Sequence, residues 1–156
     1  SGGMASKLVA ARIASWSGVR TVIANAEHEG VVAAIVAGET TGTTFEAHQR
    51  TLTARKLWIA FAAETAGRVT VDDGAQAALI TKNTSLLPAG VTKVDGAFIS
   101  GATVEIVDAS GVVFARGMTG LSAAELRDVM GLQTSARPQG MHHEVVHRDD
   151  LVVLPR

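Results

Sequence analysis

The chain has 156 residues and a mass of 16.1 kDa, with 47% hydrophobic residues, enough for one sizeable core or two small ones. Its 14 lysines and arginines against 15 aspartates and glutamates leave no whole-molecule field to draw it to nucleic acid, and the absence of cysteine excludes a disulfide framework and thiolate chemistry. The longest uncharged apolar stretch, residues 30–38, falls far short of the ~20 residues that span a bilayer, and Lys7 and Arg12 interrupt the one region resembling a secretory signal, so no membrane contact and a cytoplasmic location are expected.

The chain opens Ser1-Gly2-Gly3-Met4-Ala5-Ser6-Lys7 and runs into a helix predicted over residues 8–17. Glycines ahead of a helix N-terminus leave backbone N–H groups and the positive end of the helix dipole free to meet an anion, and Lys7 adds a mobile cation. Because a phosphate loop normally follows a strand inside an α/β domain, the chain is expected to be a piece of a larger protein. Leu8, Ala11 and Ser15 form one stripe of the helix and Val9, Ile13 and Trp16 a neighbouring one, which predicts burial along much of its girth, with Gly18 as a C-cap.

Residues 19–26 read as a short strand, and its apolar run without polar alternation predicts a parallel sheet covered on both faces. A second helix is predicted over residues 30–37, closed by Gly38, and a brief strand over 42–45. This is an α/β rhythm with too few strands for a sheet of its own. The two strands are therefore expected to pair with another copy or rearrange, which predicts a homo-oligomer.

Residues 48–67 interleave Arg50, Arg55 and Lys56 with Leu52, Leu57, Trp58, Ile59 and Phe61, the pattern of an amphipathic linker helix with Trp58 as its bulky anchor. The remainder turns to β texture, with β-branched runs at 68–71, 91–94, 103–107, 112–116 and 145–154 separated by turn signals at Asp95-Gly96 and Ala109-Ser110-Gly111. Two helices interrupt them, over 74–81 and 122–130. Ser122 stands three residues before Glu125 as a capping box, and Gly131 is a stop. A small, mostly antiparallel barrel decorated with helices is predicted. Residues 68–156 carry 8 basic and 10 acidic residues, a formal net charge of −2, and only Phe98 and Phe114 as aromatics, a balance that disfavours RNA.

Three patterns are set aside on geometry. His143-Glu144-Val145-Val146-His147 fits the zinc-protease spacing, but that spacing grips a metal only on a helix. In the valine-rich strand predicted here the histidines stand roughly 13 Å apart. His147-Arg148-Asp149 echoes the protein-kinase catalytic loop but lacks the asparagine that holds metal some residues later. Asp72-Asp73 ends a strand before a helix, where aspartate is a cap rather than a catalytic pair.

The order of motifs resembles one family. Gly2-Gly3-Met4-Ala5-Ser6-Lys7-Leu8, Gly18-Val19-Arg20-Thr21-Val22-Ile23-Ala24-Asn25, Arg55-Lys56 with Trp58-Ile59, Val71-Asp72-Asp73-Gly74-Ala75, Ser85-Leu86-Leu87-Pro88-Ala89-Gly90-Val91 and Val146-His147-Arg148-Asp149-Asp150 are similar to the C-terminal part of glutamate 5-kinases. The resemblance implies an α/β remnant of an amino-acid-kinase sandwich at residues 1–47, a linker helix at 48–67 and a mostly β PUA pseudo-barrel at 68–156. It implies transfer of the γ-phosphoryl of ATP, with Mg²⁺, to the side-chain carboxylate of L-glutamate, the first step of proline synthesis. It also carries over Gly2, Gly3, Met4, Ala5, Ser6 and Lys7 as ATP contacts, Lys7 being the catalytic charge at the β/γ-phosphates. Ser1 stands where the family has threonine. The second lysine loop, the glutamate pocket and the acidic groups near the metal belong, by the same resemblance, to a preceding portion, so this chain alone is expected to be inert.

Overall fold

In a computed structural model of the chain, residues 3–49, 51–133 and 144–154 are described. The chain divides into two compact units, Ser1–Leu57 and Trp58–Arg156.

The first unit begins with α1, Met4–Trp16. Its C-terminal end follows the glycine signal: Gly18 takes φ +83°, and the Gly18 and Val19 N–H groups donate back to Ser15 and Ala14. β1 (Thr21–Ile23), α2 (Val31–Val36, entered through left-handed Gly30), β2 (Thr43–Phe45) and α3 (Ala54–Leu57) follow. Two expectations fail here. β1 pairs with β2 antiparallel, Val22 opposite Thr44, where the unalternated apolar run predicted a parallel sheet covered on both faces. An apolar run identifies a strand without fixing the direction of its partner. Nor is α1 buried along its girth: within this unit only Ala11 and Ser15 are buried among the described residues, and Met4, Leu8 and Val9 are exposed. A two-stranded ribbon covers one narrow stripe of a helix, no more.

The second unit opens with a π-helical turn, Trp58–Ala62, which packs on the last two strands of the sheet described next. Ile59, fully buried, is its anchor, whereas Trp58 is half exposed. The wider π turn rotates the phase by which Trp58 was expected to point inward. A five-stranded sheet follows in the order β4-β3-β5-β6-β7, built from β3 (Thr65–Val71), β4 (Val91–Gly96), β5 (Thr103–Val107), β6 (Val113–Thr119) and β7 (Val146–Val153). It is antiparallel except where β3 meets β5. α4 (Asp73–Lys82) lies between β3 and β4 in sequence, and α5 (Ala123–Val129) between β6 and β7.

The caps fall where the sequence placed them. Asp72 Oδ1 accepts from Ala75 N at 2.7 Å. Ser122 and Glu125 form the reciprocal capping box. Val69, Val104, Ile106, Leu121, Leu126 and Val146, each at most 2% exposed, form the centre of one continuous core.

Across the opposite face runs a row of cross-strand partners, Arg68, Glu105 and Arg116. Arg68 Nε lies 2.8 Å and Arg116 Nη2 3.5 Å from the Glu105 carboxylate, and Arg116 Nη1 donates to Ala60 O at 3.1 Å. The row ties the π turn down to the sheet.

Candidate functional site

Backbone geometry at the start of α1 leaves its N-terminus open. Gly3 is the N-cap with extended dihedrals, no side chain caps the helix, and the first turn carries no acidic residue. Ser6 and Lys7 N–H groups return to Gly3 O at 3.1 and 3.4 Å, which places the positive end of the helix dipole at Gly3 with Lys7 one turn in. Lys7, Met4 and Leu8 line a cavity of about 610 Å³ with residues 23–27, at the end of β1, and with Gly42 and Thr43. Gly3, Ala5 and Ser6 do not line it, and Gly2 lies outside the described residues.

Glycine is required at position 42. Its φ is +80°, and a Cβ there would stand 2.3 Å from Ile23 O, so only glycine lets the entry to β2 lie against the end of β1. Asn25 Oδ1 accepts from Glu27 N at 3.1 Å, fixing the loop that forms the other wall. Sequence reasoning did not assign residues 23–27, Gly42 or Thr43 to the site. The available signal was positional, since ligands of α/β sheets sit outside strand C-termini. The cavity combines one cation, one carboxylate (Glu27) and apolar walls, and its volume lies within the range of small-molecule sites. Among the described residues no group of three or more His, Cys, Asp or Glu side chains is placed to hold a metal, so no Mg²⁺ ligand is assigned.

The second unit has two adjoining grooves. One, about 440 Å³, lies between α4 and residues 84–90, with Leu79, Leu86 and Leu87 in its wall. The other, about 500 Å³, is lined by Lys82, Ser85, Glu144, His147 and Arg148. His143 lies outside the described residues, and His147 lies in β7, a strand as expected. Its Nδ1 accepts from Asp149 N at 3.2 Å, while Nε2 stands 3.7 Å from Glu144 Oε2. Both ring nitrogens thus face protein groups. Among the described residues no helix is long and apolar enough to cross a membrane.

Comparison with known proteins gives two results. Residues 67–137 match the PUA domain family model. Over 98% of its length the chain is 43% identical to a glutamate 5-kinase of Synechococcus sp. strain JA-2-3B'a(2-13), and over 97% it is 44% identical to a glutamate 5-kinase of Acaryochloris marina. In each case it spans 42% of the relative's own length. Among solved structures, a PUA domain from Aeropyrum pernix K1, crystallised as a tartrate complex, shares 25% identity at a TM-score of 0.42, covering 60% of this chain and 50% of that one.

Proposed function

We propose that this homologue of glutamate 5-kinases is the C-terminal part of such an enzyme, which transfers the γ-phosphoryl of ATP to the side-chain carboxylate of L-glutamate to begin proline synthesis in the cytoplasm. The observation that carries the reading is about 43% identity sustained over nearly the whole chain, across both units, while the chain spans only 42–43% of the relatives. In this reading residues 1–47 are the end of the kinase domain, 48–67 the linker and 68–156 the PUA domain.

Gly2, Gly3, Met4, Ala5, Ser6 and Lys7 take the ATP phosphates. The chemistry suits what this segment offers. Phosphoryl transfer needs positioning and neutralisation of charge on the transferring oxygens, and an uncapped helix N-terminus with Lys7 beside a cavity supplies both. Mg²⁺ would accompany ATP, held largely by its phosphates. The apolar surface that the first unit leaves open supports assembly with further protein, in the enzyme as a homo-oligomer. RNA is disfavoured as a partner by the net charge of −2 over residues 68–156.

The test is a chimera of the preceding part of the Synechococcus relative with this chain, assayed for ATP-dependent γ-glutamyl hydroxamate. Turnover is expected from the chimera and none from the chain alone. Lys7→Ala is expected to lower kcat by on the order of 10²-fold. A chimera that folds and binds L-glutamate yet gives no ATP-dependent product overturns the reading.

A further inference from the structure

Among the described residues the sheet of the second unit is open, with β4 at one end and β7 at the other. An open edge strand presents a row of unpaired N–H and C=O groups on which another strand can build. The two ends are built differently. β7 breaks register: residues 147–150 stand against Met118 alone, between the Gly117–Leu151 and Thr119–Val146 pairs, and Leu86 bridges Val146. Such a bulge twists an edge away from pairing. β4 has a shorter irregularity, the single extra residue Thr92 between the Thr70–Lys93 and Val71–Val91 pairs, and from Lys93 to Gly96 it pairs evenly with Thr70 to Gly67 of β3.

The phase of that ladder decides what β4 offers to the outside. Asp72 N–H donates to Gly90 O at 3.0 Å across the two strands. Carried back in steps of two along β3, this makes Thr70–Lys93 and Arg68–Asp95 the hydrogen-bonded pairs. The carbonyls of Val94 and Gly96 then point away from β3, toward the free side. One side chain takes both: Arg127 Nη2 donates to Gly96 O at 2.6 Å and to Val94 O at 3.4 Å.

Arg127 is held in place for this. The capping box fixes the start of α5, Ala123, Leu126 and Val129 bury its inner face, and Ala123 N–H donates to Phe98 O. Lys93 and Asp95, paired at 2.8 Å, add charge along the same strand.

We propose that Arg127 is an edge plug, which occupies the outward carbonyls of β4 and so prevents a second copy of the chain from adding its own β4 to the sheet. A second copy is the occupant excluded, because two identical edges can pair antiparallel about a two-fold axis, residue i of one facing residue j of the other and j facing i, so that one edge supplies both partners.

The test compares the full chain with Arg127→Ala and Arg127→Lys. One readout is anisotropy of a fluorescent peptide with the β4 sequence, Val-Thr-Lys-Val-Asp-Gly, and the other is self-association by sedimentation. The apolar surface of the first unit is common to all three proteins, so the differences report the edge. Wild type is expected to take up no peptide. R127A is expected to bind it and to self-associate about tenfold more tightly or better. R127K is expected between them, since an ammonium cannot span both carbonyls as a guanidinium does. Should R127A lose the far-UV ellipticity of α5, R127Q carries the same comparison. A folded R127A or R127Q that takes up no peptide and associates no more than wild type overturns the proposal, as does wild-type chain that binds the peptide equally well.

Discussion

The two units are built from equally apolar segments and end in opposite states. In the second, strands and helices close over one another, and Ile106, Leu126 and Val146 are fully buried. In the first, α2 reads Val-Val-Ala-Ala-Ile-Val without a polar residue, yet none of it is buried, and Val32 and Val36 are 71% and 83% exposed. Hydrophobic sequence is thus a demand for cover, not a guarantee of it. A core needs at least two packed layers. Five strands with α4 and α5 supply them, and a ribbon of two three-residue strands does not.

The widest contrast comes from deleting side chains. Leu126→Ala is expected to destabilise the second unit by about 2–5 kcal/mol, because the fully buried leucine leaves a cavity among packed neighbours. Val36→Ala should stay within about 0.5 kcal/mol, as surface changes do. Urea unfolding followed by far-UV circular dichroism checks both. An equal loss from the two variants would mean that the first unit has a core of its own.

Backbone crowding sharpens the same contrast. At Gly117 of β6 a Cβ would meet Val146 Cγ1 at 2.4 Å and Asp150 O at 3.1 Å. Gly117→Ala should therefore cost about 1–3 kcal/mol of overpacking and lower the unfolding midpoint of the second unit. Gly42→Ala meets backbone at 2.3 Å under a positive φ, so it should open the β1–β2 ribbon, seen as faster amide exchange at residues 21–23. Because few packed neighbours depend on that ribbon, the midpoint of the second unit should not move.

A smaller effect separates the helix starts. Ser122→Ala removes the hydroxyl half of the capping box, leaving the Ser122 N–H on the Glu125 carboxylate, and should cost about 1 kcal/mol. Gly3→Ser supplies a cap that α1 lacks and should raise helicity slightly, since glycine is only a few tenths of a kcal/mol poorer than serine there. Amide exchange at the first turn of each helix reads both.

What was legible in the sequence follows the range of the forces involved. Caps and turns are local, so Ser122 with Glu125, Asp72 before α4 and Gly18 after α1 could be read directly. The strand character of residues around His147 could be read too, because the β-branched valines at 145–146 and 152–153 favour a strand over a metal-gripping helix. Long-range choices were not written locally. Nothing in residues 65–71 shows that β3 will lie parallel to β5, and nothing in 21–23 sets the direction of β2. Trp58 looked like the anchor on size alone, until a π turn gave that place to Ile59. At the candidate site, Lys7 and the glycines stood out as phosphate-handling chemistry. The wall at residues 23–27 carries no such chemistry, and only folding brings it beside the helix.

The smallest effect concerns protons. Asp108, in the turn between β5 and β6, has its carboxyl held below the usual aspartate range, first by the Ser110 hydroxyl and then by the Val112 N–H, which together outweigh the opposing effect of lost hydration. Its Oδ1 accepts from Ser110 Oγ at 2.6 Å and from the Ser110 and Val112 N–H groups at 3.0 Å each. A carboxyl that is more acidic folded than unfolded binds fewer protons in the native state. Its contribution is therefore fully present above the unfolded pKa and lost as pH falls through the folded one. Asp108→Asn keeps an accepting oxygen but not the charge. The variant should unfold at lower urea than wild type at neutral pH, and the gap should close as the solution is acidified past the folded value. The midpoint of the second unit is the quantity to follow, since the turn belongs to its sheet. A gap that stays constant from neutral to strongly acidic solution would show that the turn is held by shape alone, and that the carboxylate charge adds nothing to the more complete half of the molecule.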